Sequence, residues 1–361
     1  MIASVWKIVV ILIAFSVSIA RLPDVTASNT FNCNRREFSR VHCLVEWSAT
    51  DNRIAIRTGE VIEIWNGDLS EKMTSINLPQ NVPSVMEWSA DGRYLAMMNG
   101  TFNLFLWDSA TDELQIENYH DAITQQFDDA GIQGQYDMLD SLSWRPDHNT
   151  IAFTHNGSVS HLDMEIDRVT VFYMRAYDAS DYAGLVIWND KDATLVTISA
   201  AGIVNVYDAV TLELISTSIL PSLDLGGSWP LAQSIVLVDD RIALPAKNYI
   251  VEDNMLVERK SVVAVFNLRE TELEAMLDTE ADVINSISWN DENNLLAVGT
   301  GDWLFYDNVP GNVQVWDMET LERVETIDYE LPVYSVDWNF GGSKLAVSVV
   351  DGSITVVNIS D

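Results

Sequence analysis

Short runs of alternating hydrophobic and polar residues recur along this chain in sets of four, separated by tight turns. The clearest set opens with Ser84-Val-Met-Glu-Trp88, a strand of period-2 alternation, and turns through Ser89-Ala-Asp-Gly92. Tyr94–Met97 is a second strand rich in small residues. Asn99-Gly100 is a hairpin signal, because both positions of such a turn favour positive φ. Phe102–Trp107 alternates again, Asp108–Asp112 reverses the chain, and Glu113–Glu117 forms a fourth strand.

The set repeats. The Trp that ends its first strand recurs at Trp47, Trp88, Trp144, Trp188, Trp289 and Trp338, at spacings of 41 to 56 residues except between Trp188 and Trp289, where the spacing is roughly doubled. That gap holds a copy without the Trp, running from Ser234 through Ile242-Ala-Leu244 and closing at Ala264-Val-Phe266-Asn267. Third strands end at Trp65-Asn66, Trp107-Asp108, Leu162-Asp163, Tyr207-Asp208, Phe266-Asn267, Trp316-Asp317 and Val357-Asn358, which counts seven units. The expected fold is all-β: a seven-bladed β-propeller of four-stranded antiparallel blades.

These markers resemble the WD40 repeat family over roughly residues 35–361. The resemblance is carried by the turn Trp88–Gly92, the Leu95-Ala96 and Leu345-Ala346 strands, and the terminal Trp107-Asp108 and Trp316-Asp317 pairs. It implies the propeller and, as function, the holding of a protein partner. The family's Gly-His dipeptide is missing, and its Asp before the third strand survives best as Asp351-Gly352. Packing by the Trp residues is therefore expected to replace the family's buried His–Asp hydrogen bonds.

The last third strand, through Val356-Val357-Asn358, is not followed by a fourth, and Ser28–Arg35 precedes Trp47 by the distance of one strand. The N-terminal segment is expected to supply the outer strand of the last blade, hiding an edge that would otherwise template aggregation. Cys33 would then lie on that strand and Cys43 on the innermost strand of the first blade. A disulfide between them would rivet the closure, pairing being the expectation in an oxidising compartment.

Residues 1–27 read as a targeting segment. Lys7 precedes the uncharged run Ile8–Ala20, which is short for a membrane span and suited to the apolar region of a secretory signal peptide. Ser18-Ile19-Ala20 and Val25-Thr26-Ala27 are the two small-x-small cleavage sites, and an uncleaved N-terminal anchor is the alternative. The domain assignment is thus 1–27 signal and 28–361 propeller, in an extracytoplasmic (secreted or periplasmic) protein with no further membrane insertion.

Charge narrows the partners. Against 20 Lys and Arg stand 54 Asp and Glu, a net charge of −34. A polyanion repels nucleic acid and anionic lipid, so the expected partner is a protein or peptide, with basic segments favoured. Solubility or adaptation to salt would produce the same composition.

The turns after first and third strands are minimal, such as Ser89–Arg93, Asn339–Ser343, Asp108–Asp112 and Asp317–Thr320. The long connections Tyr119–Tyr136, Pro221–Leu231, Ala246–Lys260 and Asp302–Pro310 all fall after second or fourth strands, which opens them on the opposite, top face. Candidate binding residues there are Asp137, Trp229, Asp302, Trp303, Phe305 and Tyr306, aromatic anchors beside carboxylates. The alternative is that these aromatics pack their own hairpins.

Catalytic signals are sparse. No Gly-x-Ser-x-Gly, phosphate-cradling or dinucleotide motif occurs. Among the five His residues, His155 and His161 fall on neighbouring strands. No cofactor is expected. A Ca²⁺ site from Asp128, Asp129 and Asp137 is the one metal alternative. The competing functional class is an extracytoplasmic propeller enzyme or cofactor-binding protein, with Asp137, Asp140 and Asp302 at the channel mouth.

Overall fold

Alternating apolar strands of five or six residues bury one set of side chains only if another sheet packs on them, and the chain meets this need by ringing sheets about an axis. The computed structural model describes residues 24–33, 43–59, 61–78, 83–99, 103–118, 141–145, 149–155, 158–164, 168–172, 183–189, 193–199, 202–220, 235–252, 255–302 and 309–360. These contain strands and turns and no helix. After β1 (Asp24–Asn32), blade one consists of β2 (Val45–Trp47), β3 (Arg53–Arg57), β4 (Val61–Asn66) and β5 (Lys72–Asn77). Blade two has β6 (Val85–Trp88), β7 (Tyr94–Asn99), β8 (Asn103–Asp108) and β9 (Glu113–Asn118). Blade three has β10 (Ser141–Trp144), β11 (Thr150–His155), β12 (Ser158–Asp163) and β13 (Arg168–Phe172). Blade four has β14 (Ala183–Asn189), β15 (Thr194–Ser199), β16 (Ile203–Asp208) and β17 (Leu214–Ile219). Blade five, the copy without a Trp, has β18 (Val236–Val238), β19 (Arg241–Glu252), β20 (Met255–Asn267) and β21 (Glu272–Asp278). Blade six has β22 (Ile284–Asn290), β23 (Leu295–Thr300), β24 (Gly311–Asp317) and β25 (Glu322–Tyr329). Blade seven has β26 (Val333–Trp338), β27 (Lys344–Val349) and β28 (Ser353–Ser360).

All seven sheets are four-stranded and antiparallel, and each innermost strand contacts the next around a closed ring, β26 returning to β2. The fourth strand of blade seven is β1, in the order β1-β28-β27-β26, with Asp24 opposite Ser360 and Asn32 opposite Ser353. The closing strand thus begins before Ser28, where the sequence reading starts it. The cysteines also sit slightly off their expected strands: Cys33 follows β1 and Cys43 precedes β2. They are disulfide-bonded, with Cα atoms 6.7 Å apart. Both are buried in a cluster that joins Ala346, Ile354 and Val356 of blade seven to Val45, Trp47, Ile54 and Ile56 of blade one.

The Asp or Asn after each third strand has a local task. Asp108, Asp208 and Asp317 accept backbone N–H bonds from Ala110, Val210 and Glu319 at 2.8–2.9 Å, capping the turn into the fourth strand. Four residues after that Asp or Asn the chain adopts positive φ, at Asp112, Leu212, Thr271 and Leu321 (55–59°). A bulge then recurs between third and fourth strands in blades one, four, five and six, at Ile64/Trp65, Val206/Tyr207, Val265/Phe266 and Val315/Trp316.

Innermost strands have one edge without a strand partner, and their backbone N–H groups are satisfied by side chains of the preceding blade. The N–H groups of Trp47, Trp144, Trp188 and Trp338 donate to Asp337 (2.6 Å), Glu87 (3.1 Å), Ser143 (3.2 Å) and Ser288 (3.2 Å). Two residues earlier, Val186 donates to Ser141 (3.1 Å), Val336 to Ser286 (3.2 Å) and Val45 to Ser335 (3.5 Å). The indole N–H groups of Trp88, Trp144 and Trp338 donate to the backbone oxygens of Glu46, Glu87 and Ser288 at 3.0–3.3 Å. Side chains from the preceding blade cover these indoles: Arg53 lies 4.7 Å over Trp88, Tyr94 stacks on Trp144, and Arg241 lies 5.2 Å over Trp289. Trp packing is therefore joined by side-chain-to-backbone stitching between blades. Asp351, the survivor of the family Asp, bonds Ser353 within its own turn, where Gly352 takes φ +86°.

Candidate functional site

The antiparallel order sets the two ends of the ring apart. First and third strands run one way and second and fourth the other, so the connections after second and fourth strands all attach at one end. That is the end of the four long connections read from the sequence. Of the candidate residues on them, Asp302 is described and half-buried. Asp137, Trp229, Trp303, Phe305 and Tyr306 lie outside the described residues, as do Asp128, Asp129 and Asp140.

The base of the 302–310 connection is tightly held. Asn285 donates from Nδ2 to the carbonyls of Gly301 and Val333, both at 2.7 Å, tying blade six to blade seven beneath it. Gly301 has φ +122°, and a Cβ there would lie 2.7 Å from Pro332 Cα; one on Gly311 would lie 2.3 Å from Thr300 O. Only glycine allows the backbones to approach so closely. The 246–260 segment, expected as a loop, is instead a paired ribbon: β19 and β20 stay paired from Ala246 opposite Val262 to Glu252 opposite Met255, with one register shift between Ile250 and Val251. Its β-branched and aromatic residues around Asp253-Asn254 carried that signal. His161 lies opposite Ala152, three rows along the ladder from His155, and packs edge-on to Trp188 at 5.9 Å. Burial holds its pKa below the usual value.

The axis of the ring is a cavity of about 250 Å³ lined by all seven innermost strands. At the position preceding the first-strand Trp, or its register equivalent in blade five, stand Glu46, Glu87, Ser143, Ile187, Val236, Ser288 and Asp337, blade by blade. All line the cavity, so three carboxyls from consecutive blades seven, one and two face an aliphatic wall from blades four and five. Among the described lining residues there is no Lys, Arg or His to balance them.

Desolvation, resisted by the bond from Trp144 N–H, raises the Glu87 carboxyl to about 8. Desolvation likewise raises Asp337 to about 7 against hydrogen bonds from Trp47, Ser288 and Trp338. Glu46 is pushed well above the carboxylate range by burial and then by its two acidic neighbours. The half-ring therefore holds protons near neutrality. No group of three or more His, Cys, Asp or Glu among the described residues has an arrangement that could hold a metal ion. Sequence reasoning passed over these acids. The signal was their shared place before a repeat Trp: Glu46-Trp47, Glu87-Trp88 and Asp337-Trp338.

A family model described as eukaryotic translation initiation factor eIF2A matches residues 253–359, the last part of blade five through blade seven. The anaphase-promoting complex subunit cdc20 of Dictyostelium discoideum is 22% identical over 167 residues, which span 46% of this chain and 30% of that protein. A chain from the crystal structure of a mitotic checkpoint complex superposes with a TM-score of 0.67, covering 100% of both chains at 14% identity. The fold is a seven-bladed β-propeller, and its repeats resemble those of the WD40 family. The Asp after the third strand, one of the residues that carry the resemblance, is a turn cap. Between blades, Ser, Glu and Asp side chains accept the backbone N–H bonds.

Proposed function

We propose that this propeller is an extracytoplasmic scaffold that holds a protein or peptide partner on its loop-bearing end. The observation that carries the reading is the asymmetry of the ring. The long connections attach at one end, the 302–310 connection over a base held by Asn285, Gly301 and Gly311, while turns at the other end are short and capped. Rigid strands presenting long loops are a common way to build a recognition surface. The relatives agree at a coarser level, since one is a subunit of a complex and another is a chain within one. The net charge of −34 favours basic partners.

Retention of the partner from the native medium tests the reading directly. Trp303→Ala and Trp229→Ala are expected to lose it, whereas partners held as well by both variants as by the native chain would overturn the loop-end reading. The secretory part has its own test. Asp24–Ala27 pair with Val357–Ser360, so cleavage after Ala20 keeps β1 whole and cleavage after Ala27 removes those pairs. The mature N-terminus is expected at Arg21, and mass spectrometry of the mature protein reads it. A protein that stays unprocessed and inside the cell would overturn the extracytoplasmic assignment.

A further inference from the structure

The outermost strands of a propeller are its exposed edges, and a free edge invites pairing unless it is blunted. Six of the seven outermost strands here carry charge: Asp24 in β1, Lys72 in β5, Glu113 and Glu117 in β9, Arg168 in β13, Glu272, Glu274 and Asp278 in β21, and Glu322, Arg323, Glu325 and Asp328 in β25. The exception is β17 of blade four, Leu214-Ile-Ser-Thr-Ser-Ile219, which carries none. Its apolar side chains are also exposed. Leu214, Ile215 and Ile219 are 55%, 58% and 67% accessible, and Val210 in the preceding turn is 76% accessible. Among the described residues β17 pairs with β16 alone, and its other row of backbone donors and acceptors has no strand partner there.

The surroundings are anionic. Glu213 is exposed immediately before the strand. Asp208 is held below the usual carboxylate range by backbone bonds from Thr211 and Val210, so it stays ionised near neutrality. The nearby cation, Arg145, is engaged: it donates to Ala209 O at 3.5 Å and lies 5.6 Å over the Trp188 ring.

We propose that β17 is a docking edge for an extended, aliphatic segment of a basic protein, which adds to blade four as a fifth strand. An outward backbone row is saturated by another extended backbone, not by a helix, and the exposed Leu and Ile side chains supply the apolar contact. Charge selects the occupant. A second copy of this chain would bring another −34 against the first, whereas Lys or Arg flanking an aliphatic strand would meet Glu213 and Asp208. The surface is separate from the loop end, so neither proposal depends on the other.

The probe is a fluorescein-labelled peptide of alternating Val and Thr with Lys pairs at both ends, read by anisotropy against the mature chain. Binding is expected to weaken at least tenfold in the Ile215→Glu/Ile219→Glu double variant, and also when a central Val of the peptide is replaced by Pro. Glu213→Lys should weaken it several-fold, added salt should weaken it further, and Trp303→Ala should leave it unchanged. An unchanged melting midpoint in the double variant, whose substitutions are on exposed side chains, separates lost binding from lost folding. Equal binding by the double variant, or by a peptide with Glu ends, would overturn the proposal. So would light scattering that shows a dimer of the native chain abolished by the same double substitution, because the occupant would then be a second copy.

Discussion

Each blade of this propeller has two edges, and the chain treats them by different chemistry. At the inner edge, backbone N–H groups face a neighbouring blade in a space with little water, and side chains meet them one by one: Ser141, Ser143, Ser286, Ser288, Ser335, Glu87 and Asp337. At the outer edge the same groups face outward, and in every blade but the fourth charged side chains deter pairing. An inner polar residue is thus a bonding partner whose loss leaves a buried donor unpaired, while an outer one is largely solvated. The same residue type should differ several-fold in energetic weight between the two edges.

The largest effect is expected where the two edges meet in one element, the closing strand. Deleting residues 24–32 exposes the edge of β28 and removes the anchor of the Cys33–Cys43 disulfide. The loss should exceed the roughly 2–5 kcal/mol of a native disulfide in a small domain and abolish a single cooperative melting transition. Calorimetry checks this, and an unchanged midpoint would show that β1 is an accessory.

Ser288→Ala comes next. Its hydroxyl accepts from Trp338 N–H at 3.2 Å and donates to Asp337 at 2.8 Å, so the substitution removes one bond from each of two buried groups and should cost about 1–3 kcal/mol in denaturant unfolding. The outer-edge counterpart, Thr217→Ala, removes a bond from Thr217 Oγ1 to Asn205 Oδ1 at the rim and should cost about 1 kcal/mol or less. Equal losses would erase the distinction between the edges.

The channel carboxyls sharpen it through pH. Their folded pKa values are raised, to about 7 for Asp337 and about 8 for Glu87, from ordinary values of 3.8 and 4.5. In between, the folded ring keeps protons that the unfolded chain has released. The stability they contribute is therefore complete below about pH 4 and is lost as pH rises through 7 and then 8. Asp337→Asn and Glu87→Gln, which keep an acceptor for Trp47 and Trp144, should flatten this fall and stabilise the protein at pH 8.5 by about 1–2 kcal/mol. A pH–stability curve unchanged by both would show the acids to be solvated like those outside. The smallest effect is expected at Arg93, whose exposed fork bonds Asp108 at 2.7 and 3.1 Å; Arg93→Ala should move the melting midpoint by no more than about one degree.

Much of this architecture was readable because repetition multiplies weak signals. One Trp ending a short strand means little, but six at near-regular spacing, with a doubled gap, located even the blade that lacks it. Turn chemistry was equally legible, since Asp108 and Asp317 sit where a cap is needed. The stitching was not, because alternation shows that Ser143 and Glu87 lie on a particular face of a strand but not which N–H of a distant blade arrives there. Spacing also treated residues 246–260 as an insertion to be looped out, although Tyr249-Ile-Val and Met255-Leu-Val were strand-like and lengthened the hairpin. The loop aromatics were chosen for chemistry alone. Of the candidate binding residues, Asp302 can be placed, half-buried beside a glycine-tight base.

The ring closure carries a consequence in time. β1 precedes every other described strand in the chain and its partner β28 follows them all, so the circle stays open until β28 has been made. Non-local pairing of this kind is slow and leaves edges uncovered meanwhile. The Cys33–Cys43 link, by contrast, spans a sequence separation of only 10 and can form while the other blades are still being made. It would then hold β1 against blade one as a waiting template. The final step becomes the docking of blade seven onto a prepared strand, in place of a search by a free tail.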